Sequence, residues 1–257
     1  MLKLIIRIGL ICTVLLFILH FTINYLFAHK LNNQQLHIEF GRSWIHRGLY
    51  DNKIVYENTI AALDSASQYS TIHGIELDIF YIDSLYDFVV THDMPNKFGL
   101  PILKLSDVLQ RYQGKWNYWL DLKNLTDDNK IDINKAMKQC CEKANFANLN
   151  LLYIESGEAD ALGYLASKKW NTLYWIQFNR TEAWRQYLKV MKIKTDFIYY
   201  NYSAASIGET FFDEVYQDYF HQMPSFVFHI YDRASYNRVH SHANANVYLM
   251  DYIPNSK

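Results

Sequence analysis

The chain has 257 residues, of which 50% are hydrophobic and 20% charged, with a formal net charge of −1. This composition excludes a disordered chain, and a near-neutral balance without a basic arm excludes a general nucleic-acid binder, which needs a cationic face. No nucleic-acid partner is therefore expected.

Lys3 and Arg7 precede an apolar run from Ile8 to Phe27, interrupted mildly by Thr13, His20, Thr22 and Asn24. About twenty helical residues cross the roughly 30 Å hydrocarbon core of a bilayer. The run is longer than the apolar stretch of a typical signal peptide, and Leu26-Phe27-Ala28-His29 makes a poor cleavage site. An uncleaved signal anchor over residues 1–30 is expected, with a cleaved secretory signal as the competing reading. Lys3, Arg7 and the amino group favour a cytoplasmic N-terminus, so a single-pass cell-membrane protein with an extracytoplasmic domain is expected, although Lys30 reduces the asymmetry. Residues 31–42 read as a tether, and residues 43–257 as one domain.

Beyond the tether, short apolar runs alternate with helical patterns. Strands are expected at Ser43–Arg47, Gly74–Phe80, Trp116–Leu122, Leu151–Glu155, Thr172–Gln177, Asp196–Tyr200, Ser225–Ile230 and Asn246–Met250. Helices are expected at Thr59–Tyr69, Leu105–Arg111, Ile131–Ala144, Glu158–Ser167, Glu182–Met191 and Glu209–Phe220. Strands alternating with helices pair in parallel through right-handed crossovers. Eight of them fit an α/β fold of the (β/α)8 TIM-barrel type behind one N-terminal transmembrane helix. Asp87–Thr91 reads as an extra hairpin arm. Cys12 lies in the apolar run and Cys140 and Cys141 are adjacent, so neither a disulfide framework nor zinc spacing is present.

Four strings carry the chemistry: His46-Arg47-Gly48, Glu76-Leu77-Asp78, His92-Asp93 and Asp121-Leu122-Lys123. Residues two apart on a strand share a face, so Glu76 projects with Asp78, and Asp121 with Lys123. Side chains at the C-terminal strand ends line a barrel's active site. Three carboxylates brought together there repel unless a cation lies among them, and oxygen-only donors favour Mg2+ or Ca2+. The residues alone leave open the alternative that these acids pair with Lys and Arg in a solvated barrel mouth. His46 and His92 each end an apolar run, where an imidazole can serve as base or acid. Asp93 is placed either to orient His92 or to start the turn at Met94-Pro95. Asn58 or Thr59 caps the helix that follows, and Glu57 is in position to brace Arg47.

In this order, and with Glu57-Asn58-Thr59 between the first two strings, the pattern resembles the glycerophosphodiester phosphodiesterase family of the phospholipase C-like barrel superfamily. The specific part covers residues 43–123, and Met250-Asp251-Tyr252-Ile253-Pro254 is similar to the family's closing strand end. The resemblance implies a metal-dependent phosphoric diester hydrolase acting on a glycerophosphodiester or a lipid-headgroup phosphodiester. It implies Glu76, Asp78 and Asp121 as metal ligands, His46 and His92 as the acid–base pair, and Arg47 and Lys123 as phosphate contacts. Three departures stand out: Tyr56 replaces the family's usual proline, Asp121 a glutamate, and His229 falls near a common tryptophan. Two other readings remain: a non-catalytic membrane-anchored binder of phosphate ligands, and a phospholipase D- or lyase-type enzyme that forms a cyclic phosphate. The cluster Tyr199-Tyr200-Asn201-Tyr202 is expected at the end of the sixth strand, open between pocket lining and packing.

Overall fold

The computed structural model describes residues 2–33, 36, 38, 41–51, 53–93, 102–178, 182–212 and 216–252. Met94, Pro95, Ile253, Pro254 and part of the tether lie outside them. In chain order the elements begin with α1 (Leu2–Asn32), β1 (Ser43–His46), α2 (Ile60–Ser67), β2 (Gly74–Ile82), β3 (Asp87–Val90), α3 (Leu105–Arg111) and β4 (Asn117–Leu122). There follow α4 (Lys130–Lys143), β5 (Leu152–Ser156), α5 (Ala159–Ser167), β6 (Asn171–Trp175), α6 (Ala183–Tyr199) and β7 (Ala204–Gly208). Two short helical pieces, α7 (Glu209–Phe211) and α8 (Gln217–Phe220), precede β8 (Ser225–Ile230), α9 (Arg233–His240) and β9 (Ala245–Met250).

The chain forms two units: residues 1–35 with 178–201, and residues 36–177 with 202–257. In the larger unit, eight parallel strands close in the order β1-β2-β4-β5-β6-β7-β8-β9, and β9 returns to β1. This is the expected TIM-type barrel. Its inner layer is aromatic: Trp44, Trp119, Tyr153 and Phe226 pack with Leu173, Ala204, Val247 and Leu249. That packing explains Gly74 on β2, where an added Cβ would lie 2.2 Å from the Trp44 ring. β3 stands outside the ring. It pairs antiparallel with β2 from Ile79↔Val90 to Ile82↔Asp87, which is the hairpin arm expected from sequence. The buried Asp87 at its base accepts from Ser106 of α3 at 2.6 Å and from Lys143 of α4 at 2.9 Å.

One expected strand is wrong. Asp196–Tyr200 is not a strand but the end of α6, and the barrel strand that follows is β7. Aromatic and β-branched residues there suggest a strand, but Val190, Ile193 and Phe197 recur at helical spacing and are the residues that become buried. β7 itself is Ala-Ala-Ser-Ile-Gly, poor in strand formers, and its small Ala204 faces the bulky rings of the inner layer. Tyr199 and Tyr200 therefore do not end the sixth strand; Tyr202 is buried and stacks on Tyr174. Helix α9 was not expected, because only Ser235 and Val239 form its buried stripe.

The smaller unit pairs α1 with α6. Lys3–Asn32 is long and apolar enough to cross a membrane. Its apolar side chains are exposed along most of its length, and Phe27 and Leu31 near its end are buried. Thr13 turns its hydroxyl back onto the Gly9 carbonyl, 3.0 Å away.

Candidate active site

β1 ends at His46, and the chain then turns sharply. Arg47 and Gly48 both take the left-handed backbone conformation, with φ 55° and 88°. A side chain at position 48 would meet Ala62 Cβ at 2.7 Å, so the turn needs both the conformational freedom and the small size of glycine. The turn aims the Arg47 amide at the carboxylate of Glu76, 3.2 Å away. Asn58, also left-handed, donates its backbone amide to the Arg47 carbonyl and its side-chain nitrogen to Asp78 at 2.8 Å. Thr59 caps α2 by accepting from the Ala62 amide.

The parallel register brings the acids side by side. His46 pairs with Glu76, Asp78 with Asp121, and Asp121 with Glu155. One carboxylate oxygen from each of Glu76, Asp78 and Asp121 lies within 4.8 Å of the others. Glu76 and Asp78 are buried, and burial, then Asp78 and Asp121, push the Glu76 carboxyl well above the ordinary range. Asp121 is also raised, first by burial. Fixed cations offset part of this charge. Arg47 Nε lies 2.7 Å from Asp78, Arg47 Nη1 donates to Glu57 at 2.9 Å, and Lys123 contacts Asp78 at 2.6 Å as well as Asp121. The two acids hold the Lys123 ammonium against the downward push of burial. An all-oxygen, mutually repelling donor set of this kind fits a hard divalent cation.

The imidazoles differ in setting. His46 Nδ1 sits 2.7 Å from Asp251, just past β9, and its Nε2 lies 3.6 Å from Glu76. His92, just past β3, is half exposed and contacts Asp93 at 2.9 Å. A cavity of about 420 Å3 is lined by both histidines, Arg47, Glu76, Asp121 and Lys123. Asp78 and Glu57 join this set through their ion pairs rather than as cavity lining.

Several lining residues have no site role in the sequence reading, although His229 stands out there as a departure from the family pattern. Glu155 on β5 is fully buried and accepts from the Trp119 indole and the Ser206 hydroxyl. Burial, with Asp121 nearby, pushes its carboxyl up to about 8. Its place at a strand end was the available signal. His229 lies in a bulge of the β8–β9 pairing with φ 64°, its ring 6.1 Å from that of His46, and it lines the same cavity with Trp175 and Phe228. Burial and then His46 lower the His229 imidazole. A non-glycine residue in this conformation is uncommon, and here the bulge turns an imidazole into the site. Asp251 as the His46 partner needs the closure of β9 onto β1, which no local pattern reveals.

No family model matches the chain, and no curated protein matches it. Solved structures do. A glycerophosphodiester phosphodiesterase from Parabacteroides distasonis is 15% identical, with 84% of this chain and 94% of that one covered at a TM-score of 0.62. An Oleispira antarctica phosphodiesterase, solved with its product sn-glycerol-3-phosphate, is 18% identical over 82% of this chain and 93% of that one, TM-score 0.58. A glycerophosphodiester phosphodiesterase from Agrobacterium tumefaciens is 15% identical over 82% and 96%, TM-score 0.57. At these identities the likeness is one of fold. The chain has the barrel fold seen in solved glycerophosphodiester phosphodiesterases.

Proposed function

We propose that the barrel is a metal-dependent phosphodiesterase that cleaves a glycerophosphodiester or a lipid-derived phosphodiester. The observation that carries this reading is the convergence of three carboxylates, two fixed cations and two imidazoles around one cavity at the C-terminal ends of the strands. Barrels of this type place their catalytic groups at that end.

Glu76, Asp78 and Asp121 would hold Mg2+ or Ca2+. When bound, such a cation polarises the phosphoryl oxygens and offsets the charge that builds on them. Arg47 and Lys123 donate to the phosphate oxygens, and Glu57 keeps the Arg47 guanidinium oriented. Asp251 accepts from His46 in the tautomer that carries its proton on Nδ1, and that tautomer presents Nε2 to the site as an acceptor. His46 and His92 divide the proton transfers. One takes the proton of the attacking water as its oxygen bonds to phosphorus. The other protonates the departing alcohol as its P–O bond breaks.

The same proposal seats the chain in the cell membrane through α1, with the barrel outside the cytoplasm, because Lys3 and Arg7 flank the apolar run on its amino-terminal side. Burial of Phe27 and Leu31 supports a retained helix rather than a removed signal.

The test is a phosphodiester panel, including glycerophosphodiesters, given to the detergent-solubilised full chain with Mg2+, Ca2+ or EDTA, with products identified by phosphorus NMR. Cleavage to a phosphomonoester that stops on chelation is expected. No cleavage of any member, or turnover unchanged in both His46→Ala and His92→Ala, refutes the assignment.

A further inference from the structure

Alternation along β8 points Phe226 and Phe228 into the barrel, where Phe226 joins the inner layer and Phe228 packs against it. By the same rule His229 should face the surrounding helices. It does not. Val227 pairs with Tyr248 and Ile230 with Met250, so Phe228 and His229 together stand opposite Leu249 alone. The left-handed backbone of His229, φ 64°, takes up the extra residue, and both neighbours line the cavity. Holding a histidine in that conformation costs stability, and strain of this kind collects at functional sites.

The ring is held but not satisfied. It stacks on Tyr231 at 5.5 Å and meets Phe228 edge-on at 4.8 Å. Among the described residues neither of its nitrogens has a hydrogen-bond partner. Its centre lies 6.1 Å from that of His46, with the two rings at 71°. The bulge is also tied to the residue that orients His46, because the Asp251 amide donates to the Ile230 carbonyl at 3.2 Å.

This spacing admits one oxygen between the imidazoles. An oxygen about 2.8 Å from one nitrogen of each ring lies about 4 Å from each ring centre. Centres 6.1 Å apart then subtend roughly 100° at that oxygen, close to the tetrahedral angle at which water or an alcohol makes two hydrogen bonds. Burial and then His46 hold the His229 ring below the usual imidazole range, so at neutral pH it is uncharged and offers one donor and one acceptor.

We propose that His229 positions the oxygen that exchanges a proton with His46. This deepens the proposed phosphodiester cleavage and rests on it. Where that oxygen belongs to the attacking water, it bonds to phosphorus while its proton passes to His46. Where it belongs to the departing alcohol, its P–O bond breaks while the proton comes from His46. In either step His229 keeps its own proton and only holds the oxygen.

The test is steady-state kinetics of the detergent-solubilised full chain on the best substrate of the phosphodiester panel, for the wild type, His229→Phe and His229→Gly. Phenylalanine keeps a ring over Tyr231 and removes both nitrogens. Glycine takes the left-handed conformation without strain and leaves a ring-sized space. Both variants should lose about tenfold in kcat, the weight of one hydrogen bond, with little change in KM. Millimolar imidazole should restore much of the loss in the glycine variant and none in the phenylalanine variant. Thermal melts establish that each variant is folded. A phenylalanine variant at wild-type speed, a loss confined to KM, or a folded glycine variant that imidazole does not help overturns the proposal. A wild type that cleaves no member of the panel removes the catalytic reading and this one together, whereas a fast phenylalanine variant removes only this one.

Discussion

Glu155→Gln isolates one electrostatic penalty of the site without disturbing its shape. The amide oxygen can accept from the Trp119 indole in place of one carboxylate oxygen, and the amide nitrogen can donate to Ser206, whose hydroxyl then turns to accept. Volume and both hydrogen bonds are kept while the charge is lost. In the wild type the Glu155 carboxyl moves from an ordinary value of 4.5 to about 8, first because of burial and then because of Asp121. Between those values the folded chain holds a proton that the unfolded chain has released, so wild-type stability falls as pH rises through this window. The slope is about 1.4 kcal/mol per pH unit, and the full effect is about 5 kcal/mol as an upper bound. The variant lacks this term. Urea unfolding in detergent with EDTA, followed across the pH range, should show the two proteins nearly equal at the acid end. The variant should gain steadily, then hold a constant lead of a few kcal/mol above pH 8. Parallel pH profiles, or a variant less stable than the wild type at alkaline pH, would refute the idea that a buried carboxyl is held protonated at this point.

Adding Mg2+ or Ca2+ should raise the melting temperature. At a hundred times the dissociation constant the gain is about 2.7 kcal/mol, and Glu76→Gln should remove most of it. Differential scanning calorimetry of both proteins checks this, and an equal rise in the variant would separate the stabilisation from the acid triad. His46→Ala should lower kcat by about 100- to 10,000-fold, and Asp251→Asn should lower kcat with little change in KM, because it removes an orienting partner rather than a substrate contact. Steady-state kinetics on the best substrate of the panel decide the matter, and a pure KM effect would contradict the orienting role. Gly74→Ala should destabilise the barrel by about 1–3 kcal/mol, since the new methyl falls on the Trp44 ring. Thermal melts of this variant alone and combined with Trp44→Phe should show partial relief in the pair.

Much of the barrel and its acid cluster is legible in the sequence because both obey short-range rules. Alternation on β2 puts Glu76 and Asp78 on one face, and apolar runs mark the strand ends that carry His46 and Asp121. The misses have physical causes of longer range. β7 is built of small residues because Trp44, Tyr153 and Phe226 fill the space its side chains would take, so its strand signal is weak. The end of α6 reads as a strand by residue type, and its helical stripe becomes decisive only once Val190, Ile193 and Phe197 are known to be buried. Glu155 and Asp251 join the site through the parallel register and the closure of the ring, which no window of a few residues contains. His229 required a bulge that sequence does not announce.

The two imidazoles are mounted on unequal foundations. His46 terminates a strand locked on both edges, by β2 and by β9. His92 follows β3, a spur paired along one edge to β2, tied on the other only by a short bridge to Leu103 and Lys104, and lashed through Asp87 to Ser106 and Lys143. Lengthening, shortening or re-tilting that spur leaves the closed ring whole. Under the proposed division of proton transfers, one half of the pair is therefore set by the scaffold, and the other can be re-spaced for a bulkier or slimmer leaving group without remaking the barrel.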